Sequence, residues 1–211
     1  MRKSEILAFV IFLLSVAIAI YFLPKVPVKV ASHWNASGEV DDYMSKFWGL
    51  FLSPMILFIC FVLFLIFPRI DPLKANVEKF RKYFDGFIIL LFLFILFLQL
   101  FIILWSLGVK MKPYIVFPVG LGILFFYVGI LLEKAKRNWF IGIRTPWTMS
   151  NENVWDRTHK VGGILFKIIG GIAVLGAFFG KYAFLFVIIP VIFLPIFLIV
   201  FSYLNYKNLS Q

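Results

Sequence analysis

Gly86 to Leu107 reads GFIILLFLFILFLQLFIILWSL, a run without a charge in which Gln99 is the main polar side chain. Coiled as a helix at about 1.5 Å per residue, it matches a hydrocarbon layer of about 30 Å. Outward from it the same signature recurs at Ile6 to Leu23 and Trp48 to Phe67 on one side, and at Pro113 to Leu132, Val161 to Phe179 and Tyr182 to Leu204 on the other, each of 18 to 23 residues. Six such runs predict an all-α fold, a polytopic membrane helical bundle of about six transmembrane helices. Strict polar/apolar alternation is nearly absent. A transmembrane β-barrel, with about half its residues facing a polar lumen, does not fit.

Composition agrees: 63% of the 211 residues are hydrophobic and 15% charged, with 28 Phe. A soluble domain must cover its surface with polar groups, so most of this chain's solvent is lipid, and membrane lipids are its first partners. The length allows two small modules. Residues 1-84 form an N-terminal membrane module with an external loop at 24-47, and residues 85-211 a C-terminal one with a cytoplasmic loop at 133-160. The formal charge of +11 comes from bases at the ends and in the short gaps of apolar runs, where they meet lipid phosphates. Direct nucleic-acid binding is not expected. Cys60 is the one cysteine, which excludes an intrachain disulfide and a Cys-rich metal site.

Arg2 and Lys3 before Ile6 to Leu23 imitate a signal peptide, but the run is long and no small-x-small cleavage site follows, so it is expected to stay as the first span. Distributing the bases over alternate gaps puts 14 on one side and 6 on the other, with Lys167 inside span five. The positive-inside rule then places both termini in the cytoplasm of a multi-pass protein of the cell membrane. It also separates the two histidines, His33 outside and His159 inside.

In the external loop, Val26, Val28 and Val30 favour an extended surface strand, and Asn35 to Gly38 is a turn signal. His33, Glu39, Asp41 and Asp42 could gather a divalent cation, but their spacing matches no metal motif. No metal and no cofactor is expected. A partner-binding surface and a solvated connection both remain open, with Trp34 and Tyr43 as interfacial anchors.

The cytoplasmic loop is too apolar, at Phe140, Ile141, Ile143, Trp147 and Trp155, to be an idle tether, and is expected to pack on the bundle or the membrane. Gly142 permits a reversal, and Pro146 keeps Thr145 extended. Ser150 is expected to cap a helix that begins before the membrane, with Glu152 at its positive end. On that helix Trp155, His159, Gly162 or Gly163, and Phe166 share a face, with Asp156 and Lys160 paired alongside. Arg144 and Arg157 suit a clamp for a carboxylate or phosphate, or else a local ion-pair and cation–π network. His159 has no nucleophile placed beside it by a recognisable motif, so no catalytic residue is assigned.

Within the spans, Lys167 is shallow enough to snorkel, and Gln99 suits a helix–helix hydrogen bond better than a transport site. Gly122 and Gly129 in span four and Gly163 and Gly170 in span five create smooth faces for tight packing. Pro190 and Pro195 bend the last span.

Two sets of residues resemble the SdpI family of bacterial and archaeal membrane proteins. One is Pro27 with His33, Asn35, Gly38, Asp41 and Lys46. The other is Asn138, Ile141 to Thr148 (IGIRTPWT), Trp155, Thr158-His159-Lys160 and Gly163. In that family the first histidine is often followed by Phe and the second by Arg; here Trp34 keeps an aromatic, while Lys160 keeps charge without a bidentate fork. The resemblance implies a non-enzymatic immunity and signal-transducing protein giving resistance to an antimicrobial peptide. It implies a peptide toxin as external partner and a captured cytoplasmic regulator as internal one. The ligand- or partner-binding residues would be His33, Asn35, Gly38, Asp41, Asn138, Arg144, Thr145, Pro146, Trp147, Trp155, His159 and Lys160, with Arg157 added by the clamp reading. The alternatives are an enzyme acting on lipid headgroups, with His159 between arginine clamps, and a small transporter or membrane assembly factor. The residues specify no oligomeric state.

Overall fold

The computed structural model of the chain describes residues 2–209. The elements run α1 (Lys3–Phe22), β1 (Lys29–Trp34), β2 (Val40–Ser45), α2 (Lys46–Ile70), α3 (Lys74–Ser106), α4 (Pro113–Lys134), α5 (Pro146–Ser150), α6 (Glu152–Gly176), a 3-10 turn (Ala177–Tyr182) and α7 (Leu185–Leu209). Among the described residues six helices are long and apolar enough to cross a membrane, with α6 and the 3-10 turn together making the fifth crossing. The protein is a multi-pass membrane protein. Its long helices expose rows of Ile, Leu, Val and Phe, as a lipid-facing surface requires.

Helix bounds exceed the apolar runs most at two places. The third crossing starts at Lys74, and the fifth at Glu152, because the backbone bonds of a helix continue into the polar end where side chains can reach water. Helix α6 is capped by Asn151, whose side-chain oxygen accepts from the backbone N–H groups of Asn153 and Val154. Ser150 is not the cap; it closes the one-turn helix α5. Asn after Ser gives the carboxamide the half-extended position that Ser150, still helical, lacks.

Two polar devices hold the crossings together. Gln99 is fully buried on α3, and its amide donates to the carbonyls of Ser15 on α1 and Leu50 on α2 at 3.0 and 3.1 Å, while its oxygen accepts from the Ser15 hydroxyl at 2.6 Å. Pro54, four residues past Leu50, has no N–H, so the Leu50 carbonyl has no partner in its own helix and Gln99 supplies one. Gln99→Leu is expected to destabilise the protein by about 1–3 kcal/mol, the cost of leaving buried polar groups unmet. The check is thermal unfolding in detergent; an unchanged melting temperature would contradict this role.

The second device is ionic. Glu5, buried at the start of α1, is bonded by Arg69 at 2.8 Å and lies 3.5 Å from the buried Arg81; Arg81 reaches Asp85 at 2.6 Å, and Arg2 bonds Glu78. Nothing in the apolar pattern points to it, since these charges read simply as span ends.

The α4–α6 contact is the tightest in the bundle. The Gly122 and Gly170 backbones touch, as do those of Gly129 and Gly163, so that a Cβ on Gly163 would stand 2.8 Å from the Gly129 carbonyl oxygen. Close approach brings Lys167 on α6 to Glu133 on α4 at 2.6 Å. Lys167 therefore meets an acceptor instead of snorkelling alone, because the glycine faces shorten the distance a lysine must span.

Candidate functional site

The polar groups gather at two opposite ends of the bundle. At one end β1 and β2 form an antiparallel hairpin, pairing Lys29 with Ser45, Val30 with Met44 and Ala31 with Tyr43. The extended stretch expected around Val26 to Val30 thus begins at Lys29 and has a partner strand, VDDYMS, whose acids disguise it. Val30 and Ala31 are buried against the helices. The pairing then slips, His33 standing opposite Asp42 and Trp34 opposite Val40. This irregularity re-aims side chains as a bulge does. His33 Nδ1 and Asp41 Oδ1 come together at 2.5 Å, with the two side chains 68% and 45% exposed.

Trp34 turns inward. It packs edge-on against Phe101, Trp105 and Phe117 with ring centroids 5.0 to 5.9 Å apart, so it joins the hairpin to the bundle core and is not the interfacial anchor expected of it. Tyr43 stays exposed. Asn35 ties the turn: its side-chain oxygen accepts from Ser37 and Glu39 N–H at 2.9 and 3.0 Å. Gly38 sits at φ 83°, a backbone conformation for which glycine is suited, above Pro113 and Tyr114. Among the described residues no cluster of His, Cys, Asp or Glu has a geometry that could hold a metal ion.

At the other end residues 135–151 fold into a cap. Asn138, fully buried, is its pin: the amide donates to the Lys136 and Ile141 carbonyls, both at 2.8 Å, and the oxygen accepts from the N–H groups of Phe140 and Ile141 at 3.0 and 2.6 Å. Asp71, in the turn between α2 and α3, accepts from Trp139 N–H at 2.9 Å, and Asn76 donates to the Arg137 carbonyl at 3.0 Å. Arg137 reaches the Met149 carbonyl. Asn138→Ala leaves those loop groups unmet and is expected to cost about 2–4 kcal/mol, several bonds at about 1 kcal/mol each. Limited proteolysis should then cut within residues 136–145 in folded protein, and an unchanged digestion pattern would count against it.

His159 on α6 is 1% exposed and lies under this cap. Its Nε2 accepts from the Ile143 N–H at 3.0 Å and its Nδ1 donates to the Trp155 carbonyl at 2.9 Å, which fixes one neutral tautomer. The ring stacks on Trp155, centroids 3.9 Å apart, and Trp155 Nε1 donates to the Ala135 carbonyl. Gly142 has φ 119°, and a side chain there would run into the His159 ring, so glycine is required twice over. Thr145 and Thr148 bond each other across the first turn of α5, with Pro146 at its start. Thr145 meets the Ser202 hydroxyl on α7 at 3.0 Å, and Trp147 packs on Tyr203.

The surface of the cap is cationic. Arg144 is exposed and donates to the Trp139 carbonyl; Arg157 and Lys160 are exposed on α6 and make no ion pair among the described residues. Asp156 is bridged not by Lys160 but by Lys136, at 3.3 Å, since the 20-residue return of the chain brings Lys136 onto its carboxylate. Glu133, Lys136, Asp156, His159 and Lys160 line a polar cleft of about 400 Å³ here.

The residues singled out in the sequence thus form two groups. His33, Asn35, Gly38 and Asp41 build the hairpin tip. Asn138, Arg144, Thr145, Pro146, Trp147, Trp155, Arg157, His159 and Lys160 build or flank the cap. Sequence reasoning missed Asp71 and Ser202, and kept Thr148 of the IGIRTPWT stretch out of the binding set; all three hold the cap in place. Asp71 had one signal, a lone acid in the short gap after Pro68-Arg69; Ser202 had none.

Residues 134–203 match the SdpI/YfhL protein family, and residues 10–58 match a domain of unknown function, DUF1648. The chain is 28% identical over 209 residues, 99% of its length and 98% of the relative's, to the protein named Immunity protein SdpI of Bacillus subtilis (strain 168). No solved structure matches it.

Proposed function

We propose that this chain, whose residues 134–203 match the SdpI/YfhL protein family, is a membrane immunity protein that protects the cell carrying it from a membrane-active peptide toxin. The hairpin faces outward and both termini lie in the cytoplasm, an orientation supported by the excess of Lys and Arg at the cap end. The exposed His33–Asp41 pair and the Asn35–Gly38 turn meet the peptide. The cap, with Arg144, Arg157 and Lys160 on its surface, meets a cytoplasmic regulator.

One observation carries this reading: two built polar surfaces stand at opposite ends of one bundle, tied to the same helices. Helix α3 backs the hairpin through Phe101 and Trp105 and borders the cap through Asn76. A non-enzymatic role is supported by His159, whose two ring nitrogens are both committed to holding backbone. An imidazole so placed positions the cap and has no free nitrogen for proton transfer.

The test is survival of cells with and without the gene under a panel of membrane-active peptides. Protection against at least one peptide, lost with Asp41→Ala at equal membrane content, is the expected result. Equal survival against every peptide would end the immunity reading. Regulator capture is tested separately, by asking whether a soluble DNA-binding protein copurifies with the wild type and is lost with Arg157→Ala/Lys160→Ala.

A further inference from the structure

Beside the cap lies an apolar cavity of about 400 Å³ between α2, α3 and α4, roofed by Phe140 to Ile143. Its walls include Phe64, Phe84, Ile88, Val128 and Leu131, so its lining is mostly apolar. It is not sealed, for Leu63 in its lining is 39% exposed on the lipid-facing side of α2. The roof is the segment that His159 and Asn138 hold in place. The cavity is therefore a fixed feature of the cap.

Polar groups flank the roof segment. Arg144 follows directly on the roof residue Ile143, and its guanidinium bonds the carbonyl of Trp139, next to the roof residue Phe140. One Arg144 nitrogen is so used, and the rest of the exposed guanidinium faces outward. Trp139 is itself 52% exposed, an indole of the kind that suits the headgroup region. Residues 133–160 carry six Lys or Arg against three Asp or Glu. A hydrocarbon slot opening to lipid, whose roof segment is followed by an exposed guanidinium bonded to the Trp139 carbonyl, matches a molecule with an acyl chain joined to an anion.

We propose that this cavity is a binding site for an anionic phospholipid, one acyl chain lying between α2, α3 and α4 beneath Phe140–Ile143 and the phosphate paired with Arg144. The apolar slot supplies close van der Waals contacts for an acyl chain, and guanidinium supplies the preference for a bare phosphate over a zwitterionic headgroup. The bound chain supports the roof from beneath, where His159 holds it from the side.

The test uses purified full-length protein in detergent with neither toxin nor regulator present, so its outcome is separate from that of the immunity assay. Native mass spectrometry is run with phosphatidylglycerol, phosphatidylcholine and inorganic phosphate. Phosphatidylglycerol should bind at least about tenfold more tightly than phosphatidylcholine, equivalent to about 1.4 kcal/mol. Arg144→Gln should abolish that preference while leaving phosphatidylcholine binding as it was. Val128→Phe, which fills the cavity, should weaken both lipids; its melting temperature before lipid addition identifies a misfolded sample, and Leu63→Phe at the open side then serves instead. Equal binding of the two lipids by the wild type, an undiminished preference in Arg144→Gln, or undiminished lipid binding in a folded cavity-filling variant would each overturn the proposal. So would binding of inorganic phosphate as tight as that of the lipid, which would make the site one for the free anion.

Discussion

Gly163→Leu should be the most damaging single substitution in the membrane-spanning part of the protein. A Cβ at Gly163 stands 2.8 Å from the Gly129 carbonyl oxygen, and one at Gly170 stands 2.6 Å from the Gly122 carbonyl oxygen. Backbone atoms on both helices face each other, so no side chain can rotate away and α4 and α6 have to separate. Overpacking of this kind costs about 1–3 kcal/mol and more where relaxation is blocked. In lipid there is no hydrophobic drive to hold displaced helices together, and the close van der Waals contact is what is lost. The separation would also pull Glu133 from Lys167, now 2.6 Å apart. Gly171→Ala supplies the control, because nothing lies within 4 Å of a Cβ there, and alanine is the better helix former by about 1 kcal/mol. Thermal unfolding in detergent should show a large loss for Gly163→Leu and none for Gly171→Ala. Equal stability of Gly163→Leu and wild type would refute the glycine contact.

His159→Phe carries the next largest effect, and it acts on the cap. Phenylalanine keeps a ring against Trp155 but offers the Ile143 N–H no acceptor and the Trp155 carbonyl no donor. A buried donor left unmet costs about 1–3 kcal/mol. The bonds of Asn138, Asp71 and Thr145 still hold the rest of the cap, so the loss should appear as local opening before global unfolding. Amide exchange at Ile143 should accelerate strongly, while α1 to α3 keep their protection. Protection against toxin should fall with the protein still present in the membrane. His159→Gln, whose carboxamide can present an acceptor, should recover part of both. Unchanged exchange at Ile143 in His159→Phe would show that the histidine does not hold the cap.

The six crossings were legible because hydrocarbon accepts one pattern, a long uncharged run, and Gly86 to Leu107 states it without ambiguity. The glycine faces of α4 and α6 were legible for a related reason: small residues seven apart repeat on one helix face. Other features depend on partners far along the chain. Pro54 signals a missing N–H, yet nothing near it says that Gln99 will meet the Leu50 carbonyl. Val40 to Ser45 reads as a polar loop, and only its pairing with Lys29 to Trp34 makes it a strand. Trp34 carries the composition of an interfacial anchor and is buried because Phe101, Trp105 and Phe117 arrive from two other helices. Ser150 and Asn151 are both good caps, and the choice between them turns on a one-turn helix too short to show any period.

At the candidate site, charge, spacing and resemblance together picked out the participating residues, and geometry gave their roles. His159 among apolar neighbours suits a buried histidine or an acid–base group equally well. Its bonds to Ile143 and Trp155 favour positioning. Lys160 and Asp156 share a helical spacing of four, but Lys136, returning from α4, takes the carboxylate. Spacing within one helix cannot anticipate a competitor from another.

The most direct measurement is topological. In a Cys60→Ser background, single cysteines are placed at Ser37 in the hairpin and at Ser150 in the cap, and intact cells are treated with a membrane-impermeant maleimide. With the hairpin outside and the cap in the cytoplasm, Ser37→Cys should label in intact cells and Ser150→Cys only after permeabilisation. Labelling of both from outside would contradict a bundle that carries its two polar surfaces on opposite faces of the membrane.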